Sequence, residues 1–134
     1  MRRTFIQWFA IALAVCIAGF LATINGAPLA IWRADQSYVT SAILAFFIGS
    51  SIFIGLSTWR SDPIGVAWGY HAANISMLLG MAGTITGISL QAKAVAAGLG
   101  GLAILGTSLF PTLCGLISAI ILSTMAYNLE NGAD

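Results

Sequence analysis

Hydroxyl-bearing and small side chains recur at helical spacing in two stretches of this chain. The first holds Ser76, Gly80, Gly83, Thr84 and Gly87, and the second Ser108, Thr112, Gly115, Ala119 and Ser123. At the helical period each set falls on one narrow face. Such faces can do two things. Small residues let helices approach closely, with Gly80 and Thr84 four apart in the small-xxx-small arrangement. Hydroxyls supply hydrogen-bond donors and acceptors without charge. A packing seam and the wall of a narrow polar passage are both open readings. Other chemistry lacks its residues: no nucleophile stands beside a base, and no metal-ligand cluster or phosphate loop is present. We expect no catalytic residues, no bound cofactor and no metal.

Tyr70, His71 and Asn74 gather near the start of the first stretch. A lone histidine there reads as an interfacial or packing residue, with a proton shuttle as the alternative. Asn74-Ile75-Ser76 matches the glycosylation tripeptide, but a tripeptide inside a helix is not a surface loop.

The elements that carry these faces follow from composition. The 134 residues, 13.9 kDa, are 59% hydrophobic and 7% charged, with mean hydropathy +0.96. Soluble domains carry about 25% charged residues, so this chain cannot cover a water-facing surface. Five Lys+Arg against four Asp+Glu give net charge +1, with no basic stripe for a nucleic acid. Cys16 and Cys114 lie in apolar runs and read as small buried hydrophobes, not as a disulfide or metal pair. The fold class is an all-α integral membrane protein.

A helix needs about 20 apolar residues to cross a bilayer. Four transmembrane helices are expected, at about 5–24, 38–58, 66–90 and 95–127. They form a single transmembrane domain over residues 1–134. The breaks are Asn25-Gly26-Ala27-Pro28 through Gln36, Arg60-Ser61-Asp62-Pro63, and Gln91-Ala92-Lys93, with Trp32, Trp59 and Trp68 at interfacial positions. On this reading Pro111 stands within the last span and bends it. The first two spans are rich in Ile, Leu, Ala and Phe and suit a lipid-facing position. The first span has a signal peptide as its alternative, with Asn25-Gly26-Ala27 at the cleavage site. Asn25 suits that site poorly and the apolar run is long, which favours a span. Arg2, Arg3 and Arg60 against Arg33 and Lys93 place both termini in the cytoplasm.

All formal charges fall at the chain ends or in the breaks. An ion carrier keeps an ionisable group at depth. Small multidrug exporters of similar size use a glutamate in the first span, and no acidic residue occurs between Met1 and Ile31. That function is excluded.

Two segments resemble the pore-lining helices of the MotA/TolQ/ExbB proton-channel family. Leu79-Gly80-Met81-Ala82-Gly83-Thr84-Ile85-Thr86-Gly87 resembles its G-L-x-G-T-V-x-G pattern. Leu109-Phe110-Pro111-Thr112-Leu113-Cys114-Gly115-Leu116-Ile117-Ser118-Ala119-Ile120, followed by Tyr127-Asn128, resembles its A-L-x-x-T-x-x-G-L-x-x-A-I pattern and Tyr-Asn ending. The resemblance covers roughly Ser76 to Glu130. It implies a homopentamer in the bacterial inner membrane, built around the helix of a single-span partner of the MotB/TolR/ExbD type. That partner's aspartate takes and releases the proton. On this resemblance the last two spans form a channel-like core. Thr84, Thr112, Ser108, Gly80, Gly87 and Gly115 line the pore, and Ser76, Gly83, Ala119 and Ser123 pack helices. The chain would then be a channel or stator-type subunit coupling ion flow to partner motion. It departs from the family in having only Thr58 to Gly65 before the third span, in ending soon after Asn128, and in carrying Thr107 where several members have glutamate. The alternative is a structural or assembly membrane protein, such as a phage-type lesion-forming protein, using the same seams only to oligomerise.

Overall fold

The hydrocarbon core offers a backbone no hydrogen-bond partners, so a long apolar run there must satisfy itself as a helix. The computed structural model describes residues 2–26, 29, 38–60, 62–98 and 108–131. Within them lie α1 (Arg2–Ile24), α2 (Val39–Arg60), α3 (Ile64–Ala96) and α4 (Phe110–Asn131). All four are long and apolar enough to cross a membrane, which makes the chain a multi-pass membrane protein.

The turn from α2 to α3 is tied by Asp62. Its N–H donates to the Ser57 carbonyl at 2.9 Å, and its Oδ1 accepts from the Ile64 N–H at 3.0 Å. Pro63 follows at the N-cap, where its missing N–H leaves no helical bond broken.

The far end of α3 differs from the sequence expectation. The helix runs through Gln91-Ala92-Lys93, expected as a break, to Ala96. Gln, Ala and Lys are good helix formers, and a terminal lysine suits the helix dipole. The stop comes at Gly98, whose N–H donates to the Val95 carbonyl at 3.0 Å and whose φ of +74° takes the backbone out of the right-handed helix. Val95 and Ala96 thus belong to α3, not to the last span, and α4 starts at Phe110. The 33 residues of α3 span about 50 Å at 1.5 Å per residue, well beyond the need of one crossing. Residues 99–107, and with them Thr107, lie outside the described residues, as do Trp32, Arg33 and most of the first break.

A second correction concerns Pro111. It occupies the first turn of α4 rather than the interior. There its absent N–H was unpaired anyway, so it starts the helix and does not bend it.

The most extensive pairing is between α3 and α4, with α2 packed against both. Phe47, Ile54, Ala72, Ala73, Ala119, Leu122 and Leu129 form the shared core. The Ser51 hydroxyl reaches the Met125 sulfur at 3.8 Å, a polar tie between α2 and α4. α1 lies at the margin. Its Trp8 ring fills the notch left by Gly55 on α2, and Phe5 meets Trp59 edge-on at 5.3 Å. Val15 also packs against the core, and the outer side of α1 is an apolar surface, with Ile6, Phe9, Leu13, Ile17, Phe20 and Leu21 exposed.

Candidate functional site at the crossing of α3 and α4

Between lipid-soluble helices there is no hydrophobic force, so close packing decides which surfaces meet. α3 buries Gly65, Gly69, Ala72, Ala73, Ser76, Gly80, Gly83, Gly87 and Gln91, three or four residues apart except for the adjacent Ala72 and Ala73. α4 answers with Pro111, Gly115, Ser118, Ala119, Leu122, Met125, Ala126 and Leu129. The two backbones come closest where Gly80 faces Gly115. A Cβ on Gly80 would lie 2.8 Å from the Pro111 carbonyl oxygen and 3.2 Å from the Gly115 Cα. No side chain fits there.

That approach creates the polar feature of the bundle. Thr84 stands one turn beyond Gly80 and bonds its carbonyl at 3.2 Å, the usual i−4 reach of a helical threonine. Thr112 sits across the seam. Because Gly80 has no side chain, the Thr112 hydroxyl reaches the same carbonyl at 3.3 Å. The Thr84 and Thr112 hydroxyls also bond each other. Two O–H donors thus serve two hydroxyl oxygens and one carbonyl, a cluster with more lone pairs than protons. Both threonines are half-buried. Such a cluster can accept a hydrogen bond from a protonated acid or coordinate a cation. It cannot itself take or release a proton near neutral pH.

The remaining candidate residues are distributed as follows. Gly80, Gly87, Gly115 and Ser108, expected to line a passage, are buried in the seam between α3 and α4 of one chain. Ser108 lies in the turn before α4 and packs against Gly87, where a Cβ would approach its own at 3.1 Å. Thr84 and Thr112 are the two of that group that keep partial exposure. Of the packing set, Ser76, Gly83 and Ala119 are buried and Ser123 is half-buried. Gly83 meets both Pro111 and Val39, so it sits where three helices converge. The Ser76 hydroxyl is fully buried with no hydrogen-bond partner.

The buried stripe of α3 also holds residues not singled out from the sequence, one facing α4 and one facing α2. Gly69 meets Ala126, with 2.7 Å left for a Cβ, and Gly65 meets Ser57, with 2.8 Å. Both continue the stripe backwards from Ser76 at the same three-to-four spacing, and that continuation was the available signal.

The ionisable groups keep to the ends. Arg60 closes α2, Lys93 lies in the last turn of α3, and Glu130 is in the last turn of α4. Glu130 accepts from the Tyr70 hydroxyl at 2.9 Å, joining the end of α4 to the start of α3. His71 is exposed beside Trp68, ring centres 6.2 Å apart. Among the described residues no group of three or more His, Cys, Asp or Glu side chains is placed to hold a metal. Cys16 is exposed and Cys114 half-buried, so the expectation that both are buried is corrected for Cys16. A thiol tolerates a lipid-facing position, because it behaves as a small hydrophobe. No protein-family model, no curated protein and no solved structure matches the chain.

Proposed function

We propose that this protein is a channel or stator-type subunit of the bacterial inner membrane. It assembles as a homopentamer, with both termini cytoplasmic, around the transmembrane helix of a partner that carries an acidic residue. Ion flow, of protons on this reading, is coupled to motion of that partner. The observation that carries the reading is the Thr84–Thr112 hydroxyl pair seated on the Gly80 carbonyl, half-exposed and free of charge.

The physical reason is complementarity. A carboxylate at the centre of a membrane helix costs about 2.5–3.5 kcal/mol on insertion scales. Hydrogen bonds to hydroxyls inside a membrane return about 0.6 kcal/mol each, and up to about 1.7. Several subunits offering such pairs to one acid offset part of that cost: their lone pairs accept from the protonated acid, and a hydroxyl that turns its proton away from the seam donates to the ionised form. A wall carrying its own charge would instead hold the acid in one state. In this arrangement the two threonines line the passage, and the glycines set the distance between the helices that carry them.

The test is reconstitution in liposomes with a single-span partner bearing an intramembrane aspartate. Proton flux under a pH gradient is expected, and Thr84→Ala or Thr112→Ala should suppress it. No flux with the partner present, or a flux that neither variant lowers, overturns the reading.

The burial of Gly80, Gly87, Gly115 and Ser108 inside one chain favours a second reading. In it the protein is a structural or assembly component whose small residues only pack. It predicts an assembly with no central cavity and no inserted acid-bearing helix, which imaging of the purified complex would distinguish.

A further inference from the structure

The threonine pair stands far from the middle of the bundle. Thr112 is in the first turn of α4, which starts at Phe110, and Glu130 is in its last turn. The two are about 27 Å apart along the helix at 1.5 Å per residue. Glu130 is exposed and accepts from the exposed Tyr70 hydroxyl. It shares its end of the bundle with Arg60, which closes α2, and with Asp62 in the turn to α3. Charged groups at depth are costly, so this end lies at a membrane face. Counted from Glu130, a hydrocarbon core about 30 Å thick ends within about one turn of Thr112, a helix tilt of about 20° included.

α3 places the pair at the same level. Beyond Thr84 it runs on for about 18 Å to Ala96, with Lys93 in its last turn. Gly87 already meets Ser108, which precedes α4, so the turns of α3 that follow stand beyond the start of α4. Towards Glu130 the seam is closed instead. Gly80 lies against Gly115 and Gly69 against Ala126, with Ala72, Ala119 and Leu122 buried between them. The short way from the pair to water therefore passes over the start of α4.

We infer that the acid met by Thr84 and Thr112 lies within about two turns of the membrane face opposite Glu130, and not at the midplane. The inference rests on the proposed channel reading and adds where on the partner the acid stands. It belongs in the third of the partner's span that is farthest from the start of α1 and the end of α4. Both of these share one side of the bundle, since Phe5 meets Trp59 and Glu130 meets Tyr70. The cost of a charged group falls from the midplane to the boundary. Uncharged hydroxyls, which return little per hydrogen bond, are matched to an acid at that shallow depth and not to one at the centre.

Two measurements test this. The first reads depth in the full chain in lipid nanodiscs, with Cys16→Ala and Cys114→Ala as the background. Spin labels are attached at Leu113→Cys, Ile117→Cys, Ile120→Cys and Tyr127→Cys, four exposed positions along α4. The ratio of collisions with oxygen to collisions with a water-soluble nickel complex should peak between Ile117 and Ile120. At Ile120 that is about 12 Å from Thr112. A peak at Leu113 or at Tyr127 overturns the inference. The second moves the single aspartate of the reconstituted partner along its span. Proton flux should be largest with the acid in the third nearest the face opposite Glu130. It should fall about tenfold with the acid at the centre, the scale of one interhelical hydrogen bond in model membranes. A flux that is largest with a central aspartate overturns the inference and leaves the channel reading standing. No flux at any position removes the channel reading, and the inference with it.

Discussion

Gly80 and Gly115 meet backbone to backbone: a Cβ on Gly115 would lie 2.9 Å from the Gly80 Cα and 2.5 Å from the Ser76 carbonyl oxygen. The neighbours are main-chain atoms of a regular helix, which cannot rotate aside as a side chain can. The separation of α3 and α4 is therefore set by the absence of two methyl groups.

Gly115→Ala should accordingly lower stability by about 1–3 kcal/mol, the usual range for overpacking. Gly49 is the control, because nothing lies within 4 Å of its would-be Cβ. Gly49→Ala should change stability by no more than about 0.5–1 kcal/mol, in the stabilising direction expected of helix propensity. Unfolding in bicelles measures both.

The threonine pair gives a coupling prediction. Thr84→Val and Thr112→Val keep the shape of each side chain and remove its hydroxyl. In a double-mutant cycle the two changes should couple by about 0.6 kcal/mol, the mean for interhelical hydrogen bonds in a membrane protein. Strict additivity would mean that the hydroxyls do not hold each other.

Pro111 tests the position of the start of α4. Pro111→Ala retains the Cβ that packs beside Gly83 and should alter stability by less than about 1 kcal/mol. A proline in the body of the same helix should behave differently. Leu116→Pro, at a lipid-facing position, should cost about 3 kcal/mol or more through the lost backbone bond and the ring clash. Thermal melts in detergent would rank the two.

The attachment of α1 depends on the Trp8 ring occupying the Gly55 notch. Gly55→Leu fills that notch and should release α1 from α2. Cysteines replacing Phe5 and Trp59, whose rings now meet at 5.3 Å, report the contact through the yield of a short bifunctional thiol crosslinker. The yield should fall steeply in the Gly55→Leu background, while the melting of the α2–α3–α4 unit stays close to its parent.

Much of this architecture is local information. Four spans are legible because hydrophobicity adds residue by residue and a bilayer imposes a length threshold. The stripe from Ser76 to Gly87 and the face from Thr112 to Ser123 are legible because helical period converts sequence spacing into a surface. The charges at element ends needed nothing more than their positions along the chain.

What tertiary structure decided is which surface meets which. Small residues serve equally well against another helix of the same chain and against a neighbouring molecule, and in lipid no hydrophobic preference separates the two. Only the packed bundle assigns Gly80, Gly87, Gly115 and Ser108 to the seam inside one chain, and leaves Thr84 and Thr112 at its edge. The end of α3 was hidden for a similar reason. Gln91 and Lys93 read as a polar break, but polarity does not stop a helix; the left-handed turn at Gly98 does.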